Sequence, residues 1–178
     1  DFFRLNGISY EALPIETNDE GKENLFAGRC DVYTTDASGL SSTRAAAADP
    51  SKWLVLPEII SKEPLGPLVR HGDHQWGDVV RWSLNAMIIA EELGITSENV
   101  DASLGSNVPE VLRLLGVEGS YGEMLELAPD WAYQILKQIG NYSESYEANV
   151  GPDTPLEIAR GLNALWTQGG ILYAPPFR

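Results

Sequence analysis

Few side chains in this sequence have a type and spacing suited to chemistry. His71 and His74, the only two histidines, flank Asp73 in Arg70-His71-Gly72-Asp73-His74-Gln75-Trp76. Imidazole and carboxylate groups bind metals, but helical zinc sites place two histidines four residues apart on one face. Gly72-Asp73 instead predicts a turn that leads into a helix with Asp73 near its start, so no metal site is assigned. Cys30, the single cysteine, follows Arg29. A neighbouring cation lowers a thiol pKa, yet position 30 enters an expected strand, where a small buried thiol is common. No nucleophile is assigned there. The chain contains neither a Gly-x-Ser-x-Gly elbow nor a GxxxxGK[ST] phosphate loop, and no cofactor is called for.

One cluster remains: Thr34-Thr35-Asp36-Ala37-Ser38. It falls where an expected strand ends and an expected helix begins. In open α/β sheets, ligands lie beyond the carboxyl ends of the strands. A carboxylate in that position can pair with a ligand ammonium group, with hydroxyls adding hydrogen bonds. Asp36 is equally suited to cap the following helix. Spacing alone leaves both roles open.

These residues need elements to position them. Asp1-Phe2-Phe3-Arg4-Leu5-Asn6-Gly7 reads as the middle or end of a helix stopped by glycine. With no initiator Met at Asp1, this predicts a processed or truncated product. A short apolar run, Ile8 to Ile15, is interrupted by Pro14. Asn18 is expected to cap a helix running to Ala27-Gly28, with acids in its first turn at the positive end of the helix. Strands are expected at Asp31–Thr35 and Trp53–Leu56, with a helix from Asp36 through the alanines 45–48 between them. That alternation argues for parallel strands with crossover helices. An extended connector, Ile59 to Val69, follows. Beyond it the chain reads as helical. Val79, Val80, Leu84, Met87 and Ile88 share one face of a helix from Trp76 to Leu93, which Gly94 ends. Shorter helices are expected at 109–115, 130–139 and 155–166.

Twenty-six acidic against twelve basic residues leave a net charge of −14. With no Lys/Arg cluster to overcome that repulsion, nucleic acid is excluded as a partner. Anionic membrane surfaces are disfavoured for the same reason. Hydrophobic residues at 43% fit an ordinary globular protein, and no run approaches the ~20 apolar residues of a membrane span. One thiol cannot close an internal disulfide, so the compartment is not fixed by cysteine.

Four stretches carry a resemblance. Ala27-Gly28-Arg29-Cys30-Asp31-Val32-Tyr33-Thr34-Thr35-Asp36-Ala37-Ser38-Gly39-Leu40 resembles the second-lobe signature of extracellular solute-binding proteins of the polar amino-acid type. Leu56-Pro57-Glu58-Ile59-Ile60-Ser61-Lys62-Glu63-Pro64-Leu65-Gly66-Pro67 resembles the general L-amino-acid-binding proteins of proteobacterial ABC importers, as do Ala90–Thr96 and Gly161–Trp166. The resemblance implies an α/β fold, type II periplasmic-binding-protein-like and partial. Residues 1–56 would form the later part of the second lobe, 57–67 the hinge, and 68–178 the C-terminal part of the first lobe with a helical extension. It implies a periplasmic substrate-binding component that captures an L-amino acid between its lobes and delivers it to a membrane permease. Asp36 would hold the ligand's α-ammonium group, assisted by Thr35 and Thr34. The arginine and the Ser/Thr-Gly-Thr loop that complete such a pocket would precede Asp1. With half of the first lobe lacking, the chain is expected to expose apolar surface and to associate with a second chain or another piece of polypeptide. A lyase on the same architecture, like cyclohexadienyl dehydratase, is the alternative. It would need an extra Glu or His facing the cleft with a shifted pKa, and none stands out.

Overall fold

The computed structural model describes residues 2–62 and 64–178. Asp1, in the expected opening helix, and Glu63, in the expected connector, lie outside them. The chain divides into two compact units: residues 1–65 with 155–158, and residues 66–154 with 159–178.

The second unit is built on helices. Its longest helix, α4 (His74–Glu92), begins where Asp73 accepts a hydrogen bond from the Trp76 amide at 3.1 Å, meeting one of the free N–H groups of the first turn. Ala86, Ile88, Ile89 and Ala90 are its buried residues, and the helix packs against α6 (Pro109–Leu114), α8 (Trp131–Gln138) and α9 (Tyr142–Asn149). Two short helices, α5 (Val100–Ser103) and α7 (Tyr121–Met124), fill the connections. Leu114, Leu115, Leu136 and Val100 are essentially water-free. Near the chain's end Phe177 inserts its ring among Trp82, Tyr121 and Trp131, with centroids 5.3, 5.4 and 6.1 Å away. The helix α9, which the hydrophobic pattern did not predict, starts at a capping box. The Asn141 side chain accepts from the Glu144 amide, while the Glu144 carboxylate accepts from the Asn141 amide. Glu144 also accepts from the amide and hydroxyl of Ser97, tying the loop after α4 to this helix start.

The first unit is assembled differently. A one-turn helix, α1 (Phe2–Leu5), is followed by α2 (Asn18–Phe26) and α3 (Ala37–Ala45). The cap of α2 is Thr17, whose hydroxyl accepts from the Glu20 amide, and not the expected Asn18. The helix α3 stops at Ala45, before the rest of the alanine run.

Two expectations fail in pairing or conformation. Residues 31–35 and 53–56 form no ladder, and the only sheet pairing among the described residues is an isolated bridge between Leu165 and Leu172. A strand exists only through hydrogen bonds to a neighbour, and the described residues offer these segments none. The expected helix at 155–166 is replaced by irregular chain and 3₁₀ turns at Gly161–Asn163 and Trp166–Gln168. Glu157 sits at φ +52°, in the left-handed region, where a right-handed helix cannot continue.

Candidate functional site

The Asp36 segment is anchored from behind by α2. Gly21 lets the Tyr33 ring and the Ile15 side chain lie directly on the helix backbone; a Cβ there would come within 2.6 Å of the ring and 2.7 Å of Ile15. The Tyr33 hydroxyl then donates to the Asn18 carboxamide oxygen at 3.2 Å. Two residues beyond Thr34, the backbone leaves Asp36 at φ −61°, ψ 153° and turns into α3.

At that turn the Asp36 carboxylate gathers three donors. Its Oδ2 accepts from the Gly39 amide at 2.9 Å and from the Ser38 hydroxyl; its Oδ1 accepts from the Thr35 hydroxyl at 3.3 Å. The Ser38 hydrogen bond, then the Gly39 amide, hold the carboxyl below its ordinary pKa against the opposing effect of burial. Asp36 is therefore ionised at neutral pH, with its charge against the positive end of a helix. An ionised carboxylate offers about four lone-pair positions. Thr35, Ser38 and Gly39 take three, and the backbone N–H of Asp36 also acts on the carboxylate.

Of the residues singled out from the sequence, Thr35 joins Asp36 directly. Thr34 is exposed and is not among the carboxylate's partners. Ser38 contributes more than Thr34 does. The signal for it was present in the sequence as Asp-x-Ser at a helix start, a spacing at which the hydroxyl folds back on the cap. His71 and His74 are exposed beside a cleft that Arg70, Asp73, Asp78 and Arg81 also line, and Asp73 is engaged as a cap. No group of three metal-binding side chains converges among the described residues. Cys30 is a free, half-buried thiol. No helix of the described residues is long and apolar enough to cross a membrane.

No family model matches the chain. Individual proteins do. The glutamate/glutamine/aspartate/asparagine-binding protein BztA of Rhodobacter capsulatus is 52% identical over 179 residues, covering 100% of this chain and 53% of that protein. The general L-amino acid-binding periplasmic protein AapJ of Rhizobium johnstonii is 52% identical over 180 residues, again covering all of this chain and 53% of that protein. Among solved structures, an ABC transporter/periplasmic binding protein from Brucella ovis with glutathione bound superposes with a TM-score of 0.91 at 48% identity, over 99% of this chain and 56% of that one. The chain spans about half the length of the curated relatives it matches. Along its whole length it is a homologue of the periplasmic binding proteins of amino-acid ABC transporters.

Proposed function

We propose that this chain is part of a periplasmic amino-acid receptor, a binding protein and not an enzyme, in which Asp36 holds the α-ammonium group of the ligand. The supporting observation is an ionised carboxylate at the start of α3 whose oxygens are oriented by Thr35, Ser38 and Gly39. The relatives' ligands agree in chemistry. Glutamate, glutamine, aspartate and asparagine are named for one of them, and glutathione is bound to another. Each carries a free ammonium beside a carboxylate on one carbon, and a fixed anion suits the ammonium. Thr35 and Ser38 orient the Asp36 oxygens, and Thr34 adds a hydroxyl at the same strand end.

In this reading residues 1–56 belong to the second lobe, 57–67 to the hinge and 68–178 to the first lobe of an α/β receptor. Residues 31–35 and 53–56 are sheet strands whose partners lie in further polypeptide. Closure on the ligand favours the state that a membrane permease recognises, because the ligand binds that state better.

The cap and the ligand role are separable. Asparagine caps helices about as well as aspartate does, but it has no charge for an ammonium. Within a polypeptide of the relatives' full length that carries this chain, Asp36→Asn is expected to keep α3 intact and to weaken L-glutamate and L-glutamine binding by about a hundredfold or more, the scale of removing one partner of a desolvated charge pair. Isothermal calorimetry beside circular dichroism reads both quantities. An unchanged affinity in Asp36→Asn overturns the ligand role and leaves Asp36 as a cap alone.

A further inference from the structure

The chain visits the first unit a second time. After Thr154 the four residues Pro155–Ile158 belong to that unit, and from Ala159 the chain is back in the second. Both flanks of this excursion are fixed within the second unit. Before it, the Gly151 amide donates to the Tyr146 carbonyl at 3.0 Å. A Cβ on Gly151 would come within 2.6 Å of the Glu147 Cα, so only glycine fits against the last turn of α9. The Thr154 hydroxyl then donates to the Gly151 carbonyl at 2.8 Å. After it, the Tyr146 hydroxyl donates to the Ala159 carbonyl at 3.1 Å, and Arg160 donates to both Glu91 carboxylate oxygens at 3.0 Å. Four residues span at most about 14 Å when fully extended, so the excursion has little slack.

Its middle is held by the last turn of α3. The Arg44 guanidinium donates to the Leu156 carbonyl at 3.2 Å and to the Glu157 carboxylate at 2.8 Å. Glu157 stands at φ +52°, a conformation that a residue other than glycine keeps only where its surroundings impose it. The helix so held is the packed one of its unit, since Ser41 and Thr43 are among the few residues buried there, and Asp36 stands at its start. Among the described residues the first unit buries no hydrophobic side chain. Few contacts therefore resist local opening within it.

We propose that Pro155–Ile158 is a strap by which the cored unit restrains α3. Arg44 is its fastening on the helix, and the pinned flanks at Thr154 and Ala159 are its fastenings at the other end. Opening of the last turn of α3 is limited by release of the strap, and the turn at Glu157 is the shape the strap must keep to reach Arg44. The strap is independent of what Asp36 binds.

Amide hydrogen exchange by NMR tests it, in a polypeptide of the relatives' full length that carries this chain. The reporters are the amides of Thr43 to Ala46 in α3; those of Leu25 to Ala27 in α2, at a helix end in the same unit, are the control. Arg44→Met removes both hydrogen bonds and should speed exchange in α3 about two- to fivefold, the scale of a partly exposed ion pair. Glu157→Gly keeps the left-handed turn at no steric cost and leaves Arg44 at the helix end, so it isolates the ion pair; it should speed exchange in the same amides by less. Inserting Gly-Ser after Thr154 and again after Ile158 leaves every contact possible but doubles the strap's length. That should speed exchange in α3 about threefold, the closure entropy of a doubled loop. The α2 amides should not respond to any of the three. Unchanged exchange in α3 with Arg44→Met overturns the proposal. So does equal acceleration in α2, which marks general loosening of the unit. An effect of Arg44→Met with none from the lengthened strap also overturns it, because the contact then acts within the first unit alone.

Discussion

The two units of this molecule hold themselves together by different means. Every buried hydrophobic residue among those described, from Ala86 to Phe177, lies in the helical unit. The first unit buries only Gly21, Asn24, Ser41 and Thr43. Its apolar side chains lie open instead: Leu5, Val32, Leu54, Leu56 and Ile59 are all exposed. Around Trp53 the exposure alternates, with Trp53 and Val55 half-buried, Leu54 78% and Leu56 58% exposed. Alternation of this kind is the mark of a strand with one face covered. One unit therefore carries a core that can stabilise it unaided, whereas the other is organised by caps and local hydrogen bonds and presents its apolar face outward. Burial of apolar area is the dominant stabilising contribution to a domain, so stability should reside almost wholly in the helical unit.

Substitutions can break or sharpen that contrast. The largest effect is expected from Leu136→Ala, at a position with 0% exposure in α8. It should cost about 3–5 kcal/mol, through lost transfer energy and the cavity left behind. Leu54→Ala, in the other unit, should stay within about 0.5 kcal/mol. Urea unfolding measures both, and comparable losses would break the contrast. Two ion pairs give the next test. Arg160 and Glu91 are 16% and 9% exposed in their side chains, whereas Arg44 and Glu157 in the first unit are 20% and 60% exposed. Arg160→Met strands a buried carboxylate and should cost about 2–3 kcal/mol; Arg44→Met should cost under about 1 kcal/mol. Thermal melts of the two variants decide it.

The smallest effect concerns Asp36. Because its carboxyl pKa is lowered in the folded chain, chiefly by Ser38 and then Gly39, its contribution is fully present above the unfolded aspartate value of about 3.9. It is lost as pH falls below that value, through the folded one. Asp36→Ala should cost about 1 kcal/mol at neutral pH, as a lost cap does, and nothing further in strong acid. Helix content of α3 followed by NMR against pH checks the direction.

How much of this was legible in the sequence follows the range of the forces involved. The Asp36 cap and the start of α4 at Asp73 could be read because capping involves three or four consecutive residues. The helix α4 could be read because its period is local, but of the face expected there only Ile88 is buried; Leu84 is exposed, and Ala86, Ile89 and Ala90 take the core side. The capping box at Asn141-Tyr142-Ser143-Glu144 was equally local and gives α9 directly, although that helix has no strong apolar face to announce it. Residues 31–35 and 53–56 have strand composition, but a ladder needs a second segment, and no local pattern supplies one. The helix expected at 155–166 failed on a backbone event at Glu157 that residue type does not signal. At the candidate site, Thr35 and Asp36 were named from the sequence and lie together; Ser38 was signalled only by its Asp-x-Ser spacing, and Thr34, also named, stays apart from the carboxylate.

The half-open run Trp53-Leu54-Val55-Leu56 has a consequence for the molecule in concentrated solution. Uncharged segments of about six or seven β-forming residues stack into fibrils, and four are in place here, with Ile59 and Ile60 close behind. Pro57, which lacks an N–H, and Glu58, which brings repulsion between stacked copies, interrupt the run at its midpoint. These two neighbours act as gatekeepers, and replacing both would join the two apolar stretches into one uninterrupted run.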